Sequence, residues 1–255
     1  MIPLRDSIPA VRTPYVRNLM LVLCSAVFVL QQLSHSGLLV FEYGMVPARV
    51  FGDGAIIVRD AYGRALQLPE AALPDWLTLL SCTFLHGGWM HFLGNMLFLW
   101  IFGDNVEDRF GSVAFLLFYL GCGVAASLAH ALADATSVVP TIGASGAIAG
   151  VMGAYLFLYP KSRVLALIPI GFFLMDVVLP APFFLVYWFG LQLLQGAIDR
   201  GVGGGVAWWA HVGGFVVGAA VAGGLLLLER LQPKQIEVVL SRRPSRRVIG
   251  GRPRR

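Results

Sequence analysis

The sequence predicts an all-α membrane protein: a bundle of six spanning helices whose fourth is short and starts below the outer surface. Three observations carry this. First, hydrophobic residues fill 57% of the 255 positions and charged residues only 13%, against about 25% charged in a soluble domain. Second, mean hydropathy is +0.75, and the apolar residues come in runs long enough to span a bilayer. Third, the basic segments fall on one side if the chain crosses six times.

Residues 1–17 read as an N-terminal tail with Arg5, Arg12 and Arg17. The first span covers about 18–40. It continues past the core of a signal peptide, and Cys24-Ser25-Ala26 lies too early in the run to mark cleavage. A long first loop, 41–77, mixes glycine, proline, aromatic and charged residues. The second span follows His86-Gly87-Gly88-Trp89-Met90 and runs to about Val106. The third covers about 112–132. The fourth runs from Ser145 to Tyr159 and stops at Pro160. At 1.5 Å per residue it reaches roughly 25 Å, short of a hydrocarbon core of about 30 Å. The segment from Asp134 to Ile142 then dips inward as irregular backbone, which needs protein or water to cover it. Pro169, Pro180 and Pro182 interrupt residues 165–198. The fifth helix is placed at about 181–197, after an irregular or interfacial stretch from Leu165. The sixth covers about 207–228. One membrane domain, 18–229, is followed by a basic tail, 230–255, whose composition predicts disorder.

The N-terminal tail, the Lys161/Arg163 turn and the C-terminal tail share one side, so both termini are expected in the cytoplasm. The segments before Ser145 and His211 then face outside. The net charge of +5 comes from the C-terminal tail, which fits a topology signal against anionic lipid and no nucleic-acid partner. Cys24, Cys82 and Cys122 have no metal-ligand spacing. Cys82, near the outer face, is a candidate reactive thiol. No metal or cofactor is implied.

Ser145 lies in Gly143-Ala144-Ser145-Gly146 at the head of the fourth span. Glycine on either side allows a tight entry and close substrate approach, and a helix N-terminus offers unpaired amides to an oxyanion. The same four residues also read as an N-cap serine among packing glycines. His211, in Trp208-Trp209-Ala210-His211, heads the sixth span. A serine needs a base, and neutral imidazole is the usual one; an interfacial histidine in an aromatic belt is the plainer alternative. Gly214 and Gly218 share a helix face and permit close approach to a neighbour. If that neighbour is the fourth span, His211 reaches Ser145. Asp176 and Asp199 lie in or near other loops, so a Ser–His dyad is expected rather than a triad. His91 and Asn95, four apart, present two donors on one face. They suit an oxyanion hole, or polar contacts between helices. His86 is expected to brace the first loop.

The run His86-Gly87-Gly88-Trp89-Met90-His91-Phe92-Leu93-Gly94-Asn95-Met96, then Gly143-Ala144-Ser145-Gly146, then Ala210-His211-Val212-Gly213-Gly214 with Gly218, resembles the rhomboid intramembrane serine proteases. The likeness covers about residues 15 to 230. It implies a rhomboid-like six-helix bundle of the minimal bacterial form, in the cytoplasmic (inner) membrane, with its active site opening to the outer face. It implies Ser145 as nucleophile and His211 as base, and an oxyanion hole from the Ser145 amide, His91 and Asn95. Glu107 resembles the family's acidic brace at the inner end of span two, and Gly214 its close-contact glycine between spans four and six. Implied substrates are single-span membrane proteins, cut near the outer end of their helix. The fifth span resembles a lateral gate, with Phe183, Phe184, Trp188 and Phe189 as candidate gate residues; lipid-facing packing explains these aromatics equally well. The Trp-Arg pair that some members carry is absent from the first loop. The alternative is a non-catalytic rhomboid-like factor that binds or triages membrane proteins. A transporter is disfavoured by the lack of an internal repeat.

Overall fold

The computed structural model describes residues 1–34, 37–52, 54–59, 62–170, 173–198 and 206–231. Strand β1 (Ile2–Asp6) precedes the first long helix, α1 (Tyr15–Ser34). The first loop holds α2 (Leu38–Tyr43), α3 (Pro47–Phe51), β2 (Ile57–Arg59), β3 (Ala65–Gln67) and α4 (Asp75–Ser81), and a 3-10 turn follows at Cys82–Phe84. Then come α5 (Trp89–Phe110), α6 (Ser112–Ala133), α7 (Ser145–Leu158), β4 (Arg163–Ile170), β5 (Phe173–Pro180), α8 (Ala181–Ile198) and α9 (Trp208–Leu231).

The body is the expected helical membrane bundle, and the chain is an integral membrane protein. Helices α1, α6, α8 and α9 are long and apolar enough to cross a bilayer. Helix α5 matches them in length but carries Asp104, Glu107, Asp108 and Arg109 in its last turns. Helix α7 is apolar and has 14 residues, about 21 Å of rise. Every residue from Gly146 to Tyr155 is buried, so α7 forms the axis around which α5, α6, α8 and α9 pack.

Where α7 meets α9, the backbones touch. A Cβ on Gly214 would lie 2.0 Å from the Gly146 carbonyl oxygen, and one on Gly218 would lie 1.9 Å from that of Gly150. Only glycine fits at such a crossing. In a bilayer the gain comes from packing, because lipid tails are as apolar as leucine.

The segment before α7 is irregular, as expected, and the first loop covers it. Met45 and Thr141 exchange both backbone bonds, at 3.1 and 2.7 Å. The Ala48 amide donates to the Ser137 carbonyl, and the Gly143 amide to that of Cys82. Non-helical backbone at this depth is thereby paired. Cys82 is buried, and its sulfur lies 3.2 Å from the Ser127 hydroxyl. It is a packed side chain rather than the accessible thiol its position suggested.

Three expectations are corrected. The first span ends at Ser34, not near 40, because Gly37 has φ +64° and sets off α2 as a separate helix. The stretch from Leu165 is not irregular: β4 and β5 pair antiparallel, Arg163 opposite Pro180. Residues 1–17 are not all tail: β1 pairs antiparallel with β4 in a sheet of order β1-β4-β5, and α1 already begins at Tyr15. Asp6 ties that strand to the bundle, accepting from Asn105 Nδ2 at 2.9 Å and from the Tyr155 hydroxyl. The predicted C-terminal tail beyond residue 231 lies outside the described residues.

At this sheet-bearing end, Glu107 is buried and saturated. It accepts from the Val16 amide at 3.0 Å, the Arg17 amide at 2.7 Å and the Ser112 hydroxyl at 2.6 Å. Helix α1 has no acid in its own first turn. The α5 carboxylate caps it from outside and holds the start of α6 as well.

Candidate active site

Ser145 and His211 come from different helices that start at the same end of the bundle. The glycine seam sets their separation: with α7 and α9 in backbone contact, Ser145 Oγ lies 2.7 Å from His211 Nε2. Both open into a cavity of about 1140 Å³, shared with His91, Asn95, Phe98 and Trp188. It gives water and a peptide a route to the hydroxyl.

The turn into α7 depends on Gly143, whose φ is +126°, a region L side chains avoid. A Cβ there would also sit 2.6 Å from His91 Nε2. The glycine therefore lets the His91 ring lie against the backbone just ahead of the nucleophile. The Gly87 amide donates to His91 Nδ1 at 3.2 Å. Nδ1 must then hold a lone pair, and Nε2 carries the proton. One turn along α5, Asn95 is buried, and its Nδ2 meets no acceptor among the described residues. The Ser145 amide stands in the first turn of α7, where amides lack an intrahelical acceptor. His91, Asn95 and Ser145 thus line one cavity.

Of the remaining candidates, His86 packs against α1. Its amide donates to Gln31 Oε1 at 2.9 Å, and its ring lies edge-on to Phe28 and Phe92. Burial, with a smaller push from His91, drives its imidazole down to about 4, so it stays neutral. Gly146 and Gly214 lie in the α7–α9 seam. The four aromatic gate candidates on α8 do not share one face. Phe183 is 57% exposed, whereas Phe184 is 1% exposed and packs on Phe102. Phe189 stacks on Phe215 with centroids 4.4 Å apart, and Trp188 lies over His211 at 5.6 Å.

One residue escaped the sequence reading. Gln192 Oε1 on α8 lies 2.6 Å from His211 Nδ1. This is the position a triad's acid would take. Asp176 is instead exposed on β5, and Asp199 lies outside the described residues. The available signal was a polar side chain in the apolar run Leu191-Gln192-Leu193-Leu194.

Residues 74–228 match the Rhomboid domain family. Among curated proteins, the chain is 41% identical over 97 residues to Rhomboid protease GluP of Bacillus subtilis, covering 38% of this chain and 18% of that protein. It is 32% identical over 111 residues to the chloroplastic Rhomboid-like protein 11 of Arabidopsis thaliana, covering 42% and 39%. It is 31% identical over 162 residues to the mitochondrial RHOMBOID-like protein 6 of the same plant, covering 61% and 44%. The chain spans less than half the length of each of these relatives.

Proposed function

Since this chain belongs to the rhomboid family, we propose that it is an intramembrane serine endopeptidase with a Ser145–His211 dyad. The observation that carries this reading is the 2.7 Å contact between Ser145 Oγ and His211 Nε2, made in a cavity that His91 and Asn95 also line. One relative is itself named a rhomboid protease, which supports the same class.

The chemistry follows from the geometry. Ser145 Oγ attacks the scissile carbonyl carbon while His211 Nε2 takes its proton. The developing oxyanion receives hydrogen bonds from His91 Nε2, Asn95 Nδ2 and the Ser145 amide. His211 returns the proton to the leaving amine, and an ester to Ser145 remains. Water, deprotonated by His211, hydrolyses that ester and restores the hydroxyl. No cofactor takes part. The Asn95 amide supports this role, because it meets no acceptor among the described residues and faces the same cavity as Ser145.

The substrates we propose are single-span membrane proteins cut near the outer end of their helix. Lipid-embedded α8 is the side from which they arrive. A helical peptide bond is held by its own ladder, so the cut segment must unwind first, which favours small or helix-breaking residues around it. Placement in a bacterial cytoplasmic membrane, with both termini inside and the cavity opening outward, completes the proposal and agrees with the basic Lys161/Arg163 turn.

The test is cleavage of a single-span substrate by the purified protein in liposomes, with product masses locating the cut. Ser145→Ala and His211→Ala are each expected to lower the rate about a thousandfold or more. Cleavage that survives Ser145→Ala sinks the dyad. Binding of the substrate helix without cleavage or fluorophosphonate labelling of wild type favours a non-catalytic rhomboid-like factor instead.

A further inference from the structure

The His211 ring is held at both nitrogens. Nε2 faces Ser145 on α7, and Nδ1 faces Gln192 Oε1 at 2.6 Å on α8. Gln192 is 5% exposed. Its Nε2 donates to the Trp188 carbonyl, one helical turn back, at 3.2 Å. That bond decides which way the amide points. The NH2 group is engaged along α8, so the oxygen is the atom left for the imidazole.

An amide oxygen has no proton to give, so the contact exists only if Nδ1 carries the hydrogen. Nε2 then has the lone pair, and it is aimed at the Ser145 hydroxyl. This is the tautomer a general base needs. A free imidazole places its proton on either nitrogen, and the hydrogen bond made by one nitrogen settles the state of the other. In a serine triad a buried aspartate does this job. A neutral glutamine does it without bringing a carboxylate to membrane depth, where an unpaired charge is expensive.

We infer that Gln192 is the positioning residue for His211, fixing its tautomer and ring orientation from α8. The inference rests on the proposed dyad. It makes the base competent only while α8 is docked. Trp188 strengthens the coupling, because its ring lies over the same imidazole, so α8 supplies both the Nδ1 acceptor and one wall. Displacing α8 removes the two together and leaves the Ser145 side in place.

The experiment has two independent arms. In the first, the full-length protein carrying 15N-labelled histidine is studied by NMR, with His211 assigned by comparison with His211→Gln. Wild type is expected to show Nδ1 protonated and Nε2 unprotonated. A protonated Nε2 in the neutral ring overturns the inference without any Gln192 variant having to fold. In the second arm, Gln192→Met and Gln192→Glu are assayed in liposomes. Met keeps the length and removes the acceptor; Glu keeps an acceptor oxygen in place. Gln192→Met is expected to lose about 10- to 100-fold in kcat with KM nearly unchanged and mixed tautomers in the spectrum. Gln192→Glu is expected to stay within about threefold of wild type, as the conservative variant that restores the bond. Equal losses in both variants with an unaltered His211 spectrum would reduce Gln192 to a packing residue. So would full activity in Gln192→Met. Failure of the dyad itself reads out separately, as cleavage by Ser145→Ala, whatever the spectrum of His211 shows.

Discussion

Helix α7 has two unlike neighbours. Against α9 it touches backbone to backbone, with Gly214 and Gly218 seated on the carbonyls of Gly146 and Gly150. On the other flank, α8 reaches the core through rings: Phe184 on Phe102, and Phe189 and Trp188 on Phe215. Its outward face is exposed at Val186, Tyr187 and Leu194, and a Cβ on Gly190 would meet no atom within 4 Å. Backbone contacts fix a separation to a few tenths of an ångström. Stacked rings slide at small cost. The nucleophile and its base are therefore held together by backbone contact, while the helix on the far side of the base is held through side chains. The proposed entry of a substrate helix past α8 would draw on that difference.

The contrast is tested by making comparable changes on the two sides. Gly218→Ala is expected to have the largest effect. Its Cβ meets the carbonyl oxygen, carbon and Cα of Gly150 within 2.6 Å, so the helices must part. Overpacking of this kind costs about 1–3 kcal/mol or more, and displacing the base by about 1 Å costs on the order of 100-fold in rate. Thermal unfolding in detergent and the cleavage assay should fall together. Phe189→Ala comes next. It removes a half-buried ring from Phe215 and is expected to cost about 1–2 kcal/mol, below the 3–5 of a fully buried phenylalanine. Here kcat should fall more than the melting temperature, because the loosened element is the one holding Nδ1 of His211. Equal sensitivity of Tm to Gly218→Ala and Phe189→Ala, with Ser145 reactivity lost alike, would erase the distinction between the flanks. The smallest effect belongs to Gly190→Ala. With open space around it, the substitution gains about 0.5–1 kcal/mol of helix propensity and should raise the melting temperature slightly, opposite in sign to the same change at position 218.

Much of this arrangement was legible in the chain. Ser145, His91, Asn95 and His211 stand at helix starts marked by glycine and proline, and the Gly214/Gly218 spacing already implied a tight crossing. The short fourth helix could be read from Ser145 to the Pro160 stop. The three-stranded sheet could not. Residues 164–175 are continuously apolar, and such a run fits a buried helix as well as a strand. What decides it is pairing with Ile2–Asp6 at the other end of the sequence, which no local window contains. Gln192 was visible as a polar residue in an apolar run, but so was Gln195, which is exposed. Only the fold says which of the two meets an imidazole. The gate aromatics show the same dependence on the fold. Phe183 and Phe184 are adjacent in sequence, yet about 100° apart around the helix, and one is exposed while the other is buried.

The pairing of β1 with β4 also sets an order of events during synthesis. Strand β1 leaves the ribosome well before its partner, which is made only after α1, α5, α6 and α7. At about 5–20 residues per second the wait is on the order of ten seconds. Throughout it, the first strand has an open edge, a template for pairing with any other chain nearby. Arrival of the β4–β5 hairpin pairs one edge of that strand and fastens it to the bundle, with β1 at the rim of the sheet. A nascent chain arrested before residue 163 would keep four inserted helices and an unpaired first strand, a form that quality-control factors could tell apart from the finished protein.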